Sequence, residues 1–325
     1  MSRTAAGAAR DDWPELPPYH AWQETCTTLH LWTQIAGKVR LVHTPWLNHS
    51  WHATFYVTAR GWTTSLIPYE RRAFEMEFDF IDHALVIRSS DGRVRRVPLR
   101  PRSVADFHAE LMAELAALDL PVQIHDRPNE MPDAVPFAED RVHATYDQEL
   151  AQRFWRAHLQ IHRVLQQFRT CFLGKVSPVH LFWGGLDLAV TRFSGRRAPI
   201  HPGGIPHMPD AITREAYSHE VSSAGFWPGG GPIDHAAFYS YAYPAPAGFS
   251  AASVQPAAAF FHEALGEFIL PYDAVRASDD PDATLLQFLQ TTYEAAAGLA
   301  GWERDALECA LGQPGVVRPG PHEPG

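Results

Sequence analysis

The sequence predicts an α+β fold of two similar halves, each a mostly antiparallel sheet flanked by helices and related by a pseudo-twofold duplication. Three observations predict it. Apolar residues recur at helical spacing in some stretches and at strand spacing in others. Both halves run in the order helix, glycine, several strands, helix. A short string also repeats at one offset: Gly37-Lys38-Val39, Val42-His43 and Trp46 return as Gly174-Lys175-Val176, Val179-His180 and Trp183, with Thr33 matching Thr170. The plainer account of that string is C-cap chemistry, glycine supplying a left-handed turn and lysine facing the helix dipole. Halves related by duplication would place a ligand pocket in the cleft between them.

Taken in order, residues 1–12 are small and polar and are expected to be disordered. The first α+β half spans 13–127. Its opening helix, 19–36, carries Trp22, Cys26, Leu29, Trp32 and Ile35 on one face, with Pro17 and Pro18 at the entrance and Gly37 at the exit. In 51–60, Trp51, Ala53, Phe55, Val57 and Ala59 alternate with His52, Thr54, Tyr56, Thr58 and Arg60, a period-two strand. Residues 74–80 alternate too, and 84–89 with 93–99 read as a hairpin around Asp91-Gly92. A helix opens at Ser103, where Asp106 is the capping-box acid. Residues 128–146, with Pro128, Pro132 and Pro136 among acids, read as a linker.

The second half, 147–311, begins with a helix over 148–173, capped by Asp147 or Thr145 and closed by Gly174. Extended segments follow at 178–193, 217–227, 238–243 and 266–270, broken by a long loop assigned to 195–237. The last helix starts at Pro281 behind Asp280 and precedes Gly301. Pro and Gly dominate 312–325, an expected disordered tail.

Composition narrows the function. The 325 residues are 46% apolar and 20% charged, a globular balance that excludes a chain disordered throughout and a fibrous one. No apolar run approaches the roughly 20 residues of a membrane helix, and the start lacks a secretory signal, so a cytoplasmic location is expected. The net charge of −10 argues against nucleic acid or an anionic membrane as partner. Cys26, Cys171 and Cys309 lie far apart in sequence, with no spacing for zinc and an odd count that opposes a disulfide framework.

Several residues carry chemistry. His52, Thr54, Tyr56, Thr58 and Arg60 offer donors and acceptors of moderate size, which suits a polar pocket with Arg60 as a carboxylate or phosphate anchor. The same face also reads as a hydrated surface whose Arg60 pairs with Glu75, Glu77 or Asp79 across the sheet. His49 and His52 are three apart and would share a metal only across a bend. The stretch 201–243 is richest. His219 and Glu220 can serve as general base and acid, or His219 can join His201 and His207 around a divalent ion such as zinc, iron or manganese. No H-E-x-x-H or C-x-x-C pattern supports a metal. Glu215 and His219, four apart, would form an ion pair if 211–218 is helical. Tyr239, Tyr241 and Tyr243 share a strand face, either as core with rim hydroxyls or as an aromatic wall for a ligand. Gly229-Gly230-Gly231-Pro232 lacks the lysine and helix of a nucleotide site.

Five strings, Trp13-Pro14-Glu15-Leu16, Leu29-His30-Leu31-Trp32-Thr33-Gln34, Tyr56-Val57-Thr58-Ala59-Arg60-Gly61, Phe78-Asp79-Phe80-Ile81-Asp82-His83 and Ser218-His219-Glu220-Val221-Ser222-Ser223-Ala224-Gly225-Phe226-Trp227-Pro228, resemble a bacterial family catalogued as domain of unknown function 5996. The resemblance covers 13–311 and implies one evolutionary unit, without a mechanism. The residues themselves point to an enzyme on a small polar or anionic molecule. His219 and Glu220 would do acid–base or metal-assisted work, Arg60 would anchor substrate, and His52, Tyr56, Trp227, Tyr239 and Tyr241 would line the cleft. The alternative is a non-catalytic module holding a ligand or a partner chain, a second copy of itself included.

Overall fold

The computed structural model describes residues 12–318, so the disorder expected at 1–11 and 319–325 lies outside the described residues. Among those residues the architecture is α+β, with two six-stranded antiparallel sheets and seven α-helices. The first sheet contains β1 (Tyr56–Val57), β2 (Gly61–Thr63), β3 (Ile67–Tyr69), β4 (Arg72–Asp79), β5 (Ala84–Ser89) and β6 (Val94–Pro98). Its order is β1-β2-β4-β5-β6, with β3 also on β4. The second contains β7 (His180–Phe182), β8 (Asp187–Arg197), β9 (His219–Trp227), β10 (Ala237–Tyr243), β11 (Phe260–His262) and β12 (Glu267–Pro271), in the order β11-β12-β10-β9-β8-β7. The helices are α1 (Tyr19–His43), α2 (Val104–Ala117), α3 (Gln148–Arg169), α4 (Asp210–Ala216), α5 (Tyr272–Arg276), α6 (Pro281–Leu299) and α7 (Arg304–Leu307).

Local chemistry sets three helix starts. Ser103 Oγ accepts from the Asp106 N–H at 3.1 Å, Asp147 from Leu150 at 3.0 Å and Asp280 from Ala283 at 3.0 Å, each satisfying a donor that the first turn leaves open. The β5–β6 hairpin turns at Gly92, whose φ of 90° suits glycine alone.

Elsewhere the fold departs from the periodicity. Helix α1 does not stop at Gly37 but continues to His43. A Cβ on Gly37 would stand 2.5 Å from the Trp183 indole, so this glycine admits a ring against the helix rather than ending it. Its counterpart Gly174 lies beyond the end of α3, in chain leading to β7. The repeated string therefore occupies a helix in one half and irregular chain in the other, and the pseudo-twofold duplication is not confirmed. The strand expected over 51–60 shrinks to β1. His49 (φ 58°) and Ser50 (φ 57°) coil the chain ahead of it, which breaks the period-two geometry and buries His52 and Thr54.

One hydrophobic cluster spans both halves, from Trp22 and Trp32 through Phe55, Phe154 and Phe226 to Tyr293. Helix α1 runs through its middle with even Lys38 and Arg40 buried. The sheets meet edge to edge where Phe55 and Leu181 exchange backbone hydrogen bonds of 2.9 and 2.8 Å. The cysteines are free thiols, and the fold brings two of them near each other: the Cys309 N–H donates to the Cys171 carbonyl at 3.0 Å. Residues 312–318, assigned to the tail, return to the end of α3, where the Gly312 N–H donates to Thr170 Oγ1 at 3.0 Å. No helix of the described residues is long and apolar enough to cross a membrane.

Candidate functional site

A cavity of about 350 Å³ lies beside the Phe55–Leu181 junction, a size typical of small-molecule sites. Three strands of the second sheet make its floor. Their register aligns Ala189, Gly225 and Tyr239 in one row and Thr191, Ser223 and Tyr241 in the next. Side chains at alternate positions share a face, so Thr191, Phe193, Val221, Ser223, Tyr239 and Tyr241 all line the cavity. Gly225 explains how Tyr239 reaches across this floor. A Cβ there would lie 2.5 Å from the Tyr239 hydroxyl, so without one the phenol crosses β9 and donates to Asp187 Oδ2, at 2.6 Å, on β8. The Thr191 and Ser223 hydroxyls bond each other at 2.8 Å, and the Tyr217 hydroxyl donates to that of Tyr241 at 3.0 Å.

The opposite walls come from the first half and from the segment expected to be a linker. Trp46, His49, Trp51 and Ala53 come from the coil before β1, and Trp183 donates its indole N–H to the Ala53 carbonyl. On α1, His30, Gln34 and Lys38 recur every four residues and form one polar stripe. Gln34 accepts the Asn129 N–H at 2.8 Å and donates to the Asn129 carbonyl at 2.9 Å, and Lys38 donates to Asn129 Oδ1 at 2.5 Å. His30 Nε2 lies 2.8 Å from the Gly184 carbonyl. The stripe thereby fixes Asn129-Glu130 against the β7–β8 turn, with the Glu130 carboxylate packed where a Gly184 side chain would be. Glu130 stands at the rim, exposed as a residue but with its carboxylate turned in against Gly184, and Asp187 is half-buried.

The cavity's electrostatics follow from these positions. Burial pushes the Asp187 carboxyl up to about 6, against the stabilising hydrogen bond from Tyr239. Loss of hydration, then the nearby charge of Asp187, push Glu130 up to about 7. Glu267, outside the lining, rises to about 7 for the same two reasons. At the other end, His49 is held down to about 4, chiefly by burial. The Lys175 ammonium, which only donates, stands 2.9 Å from His49 Nε2. The ring proton therefore sits on Nδ1 and is donated to the Ala216 carbonyl at 2.7 Å. Glu215 receives the His49 backbone N–H at 2.9 Å, which ties α4 to the coil of the first half.

Of the residues chosen from sequence, Tyr239 and Tyr241 line this cavity, as does His49, weighed there as a metal ligand with His52, and the rest do not. Arg60 is held by Asp79 at 2.6 Å and Asp82 at 3.1 Å on the first sheet, so its anchoring capacity is already taken by acids. His52 is buried behind Trp46, their rings 4.5 Å apart, and its Nδ1 accepts the Leu47 N–H at 3.2 Å. Tyr56 lies under the Arg40 guanidinium at 5.5 Å. Trp227 packs with Ile233, Ala237 and Ile269. His219 and Glu220 are neighbours on β9 and face opposite ways. His219 Nδ1 lies 3.1 Å from the Ser218 hydroxyl, whereas Glu220 receives two bonds from Arg196, at 2.9 and 2.7 Å. The ion pair between Glu215 and His219 is replaced by Glu215's hold on His49. His201 is packed by Tyr217 and Tyr243, each 5.0 Å away, and His207 is exposed, offering only its carbonyl, to the Glu130 N–H at 3.3 Å. Among the described residues no three His, Cys, Asp or Glu side chains gather closely enough to hold a metal, so His201, His207 and His219 form no ligand set.

Asp187, Glu130 and His49 were not assigned to this pocket from sequence. A signal existed for Asp187: Gly184-Gly185 ahead of an acid that opens a strand leaves room for carboxylates, and a Cβ on Gly185 would come within 2.9 Å of Asp187 Oδ1. In comparison with known proteins, a family model described as a family of unknown function (DUF5996) matches residues 13–309. No curated protein and no solved structure matches.

Proposed function

Because the chain belongs to the DUF5996 family of unknown function, we propose its role from the cavity itself: an enzyme performing acid–base chemistry with Asp187 and Glu130 on a small molecule with an apolar, ring-bearing body. The observation that carries this reading is the Asp187 carboxyl, oriented by Tyr239 and pushed up to about 6 beside a second carboxyl at about 7, in an aromatic cavity. Two acids poised near neutrality can divide the labour, one accepting a proton as carboxylate while the other donates one. Tyr239 donates to Oδ2 of Asp187 and so orients the carboxyl at the cavity. His49 supports the wall rather than the proton transfer, since both ring nitrogens already have partners.

This reading replaces His219 and Glu220 as the reactive pair and keeps the expected cleft between the halves. Trp46, Trp51, Trp183 and Phe193 would enclose the substrate body by apolar contact. The test is a mass-spectrometric screen of small-molecule mixtures incubated with wild type and with Asp187→Asn. The expected result is a compound consumed by wild type and untouched by the variant. Consumption unaltered by Asp187→Asn, or none by wild type, would contradict catalysis at this site.

A further inference from the structure

Resting on that reading of the cavity, we infer that its ligand carries a protonated amine, seated against Asp187 and Glu130 with its apolar body between the aromatic walls. The charges on the lining have one sign. Glu130 and Asp187 are its acids, no lysine or arginine belongs to it, and His49 is neutral. The two nearby lysines stand behind the lining and are held by its wall residues, with Lys38 also 5.8 Å from the Trp183 ring centre. Lys38 is bonded to Asn129. Lys175 donates to His49 and lies 4.6 Å from the Phe193 ring centre and 5.3 Å from that of Trp51.

Among the described residues no cation pairs with the acids of the lining. Among the described residues neither Glu130 nor Glu267 has a counter-cation; the charge each feels is that of Asp187. A carboxylate or phosphate ligand would add a further negative charge to this group, and a neutral ligand would leave the repulsion in place. An ammonium relieves it through charge-assisted hydrogen bonds to carboxylates. The walls act in the same direction, because the faces of Trp and Tyr rings attract cations. Tyr217, Tyr239 and Tyr241 add hydroxyls at the carboxylate end, and Thr191 and Ser223 continue the polar floor.

The experiment is calorimetric titration of the full chain at neutral pH with benzylamine, 2-phenylethylamine and tryptamine, each beside its alcohol and carboxylate isostere. The amines are expected to bind at least about tenfold more tightly than the alcohols, the gain typical of one hydrogen bond to a charged group, and the carboxylates most weakly. Asp187→Asn and, separately, Glu130→Gln should each remove most of the amine's advantage over its alcohol. Alcohols or carboxylates binding as tightly as amines, or amine affinity indifferent to both variants, would overturn the inference and leave the acid–base reading standing. Failure of all nine compounds to bind at millimolar concentration would overturn both.

Discussion

Two aspartates, Asp79 on the first sheet and Asp187 on the second, show how partners decide what a carboxylate does. Asp79 is almost fully buried and saturated: it accepts from Arg60 at 2.6 Å and from the backbone N–H groups of Ile81 and Asp82 at 2.9 and 3.0 Å. Burial alone would raise its pKa, but these bonds together outweigh burial and hold it below the usual carboxylate range. At Asp187 burial outweighs the bonds from the Tyr239 phenol and from its own backbone N–H, and the group sits at about 6. The first arrangement closes a turn. The second leaves a carboxyl near neutrality at a cavity, the condition for moving protons.

The sharpest way to break this contrast is to neutralise each aspartate in turn. Asp187→Asn should lower turnover of any substrate found by about two to four orders of magnitude, the usual worth of a positioned acid or base. Asp79→Asn should leave turnover near wild type but destabilise the fold by about 1–3 kcal/mol, read by urea unfolding, because it removes a buried charged acceptor from Arg60 and two backbone N–H groups. Gly225→Ala sharpens the comparison from the other side. A methyl there would meet the Tyr239 hydroxyl at 2.5 Å and the Leu188 carbonyl at 2.6 Å, so it should cost about 1–3 kcal/mol and release Tyr239 from Asp187.

Stability against pH should also separate the two. The folded pKa of Asp187 lies above its ordinary 3.8, so its contribution is most favourable below pH 3.8 and declines as pH rises to about 6. Asp79 has the opposite sign: its stabilisation is present above 3.8 and is lost as pH falls through its lowered folded pKa. Asp187→Asn should therefore unfold at higher urea than wild type at pH 8 and lose that advantage near pH 4. The smallest effect is expected at the pair first chosen from sequence. Glu220→Gln, which loosens only a half-exposed bridge to Arg196, should change stability by under about 1 kcal/mol and leave turnover unaffected.

What was legible in the sequence was what short range decides. Ser103, Asp147 and Asp280 cap helices through groups three residues away, and Tyr239 and Tyr241 share a face because strands alternate. The glycines were ambiguous for a physical reason. Gly37 and Gly92 look alike in sequence, but one makes room for the Trp183 ring and the other for a positive φ. Arg60 has the acidic partner the sequence offered in Asp79, joined by Asp82, and it stands outside the cavity lining. Asp187 was illegible because its character depends on burial, on a missing side chain at Gly225 and on a phenol from β10 that the fold alone brings to it.

The most direct measurement is a carboxyl-carbon NMR titration of Asp187, assigned by Asp187→Asn and recorded beside that of Asp79. A midpoint for Asp187 near 6, with Asp79 titrating below the ordinary 3.8, is the predicted result. An Asp187 midpoint at or below 3.8 would mean that this carboxylate is as settled as Asp79 and would contradict the account.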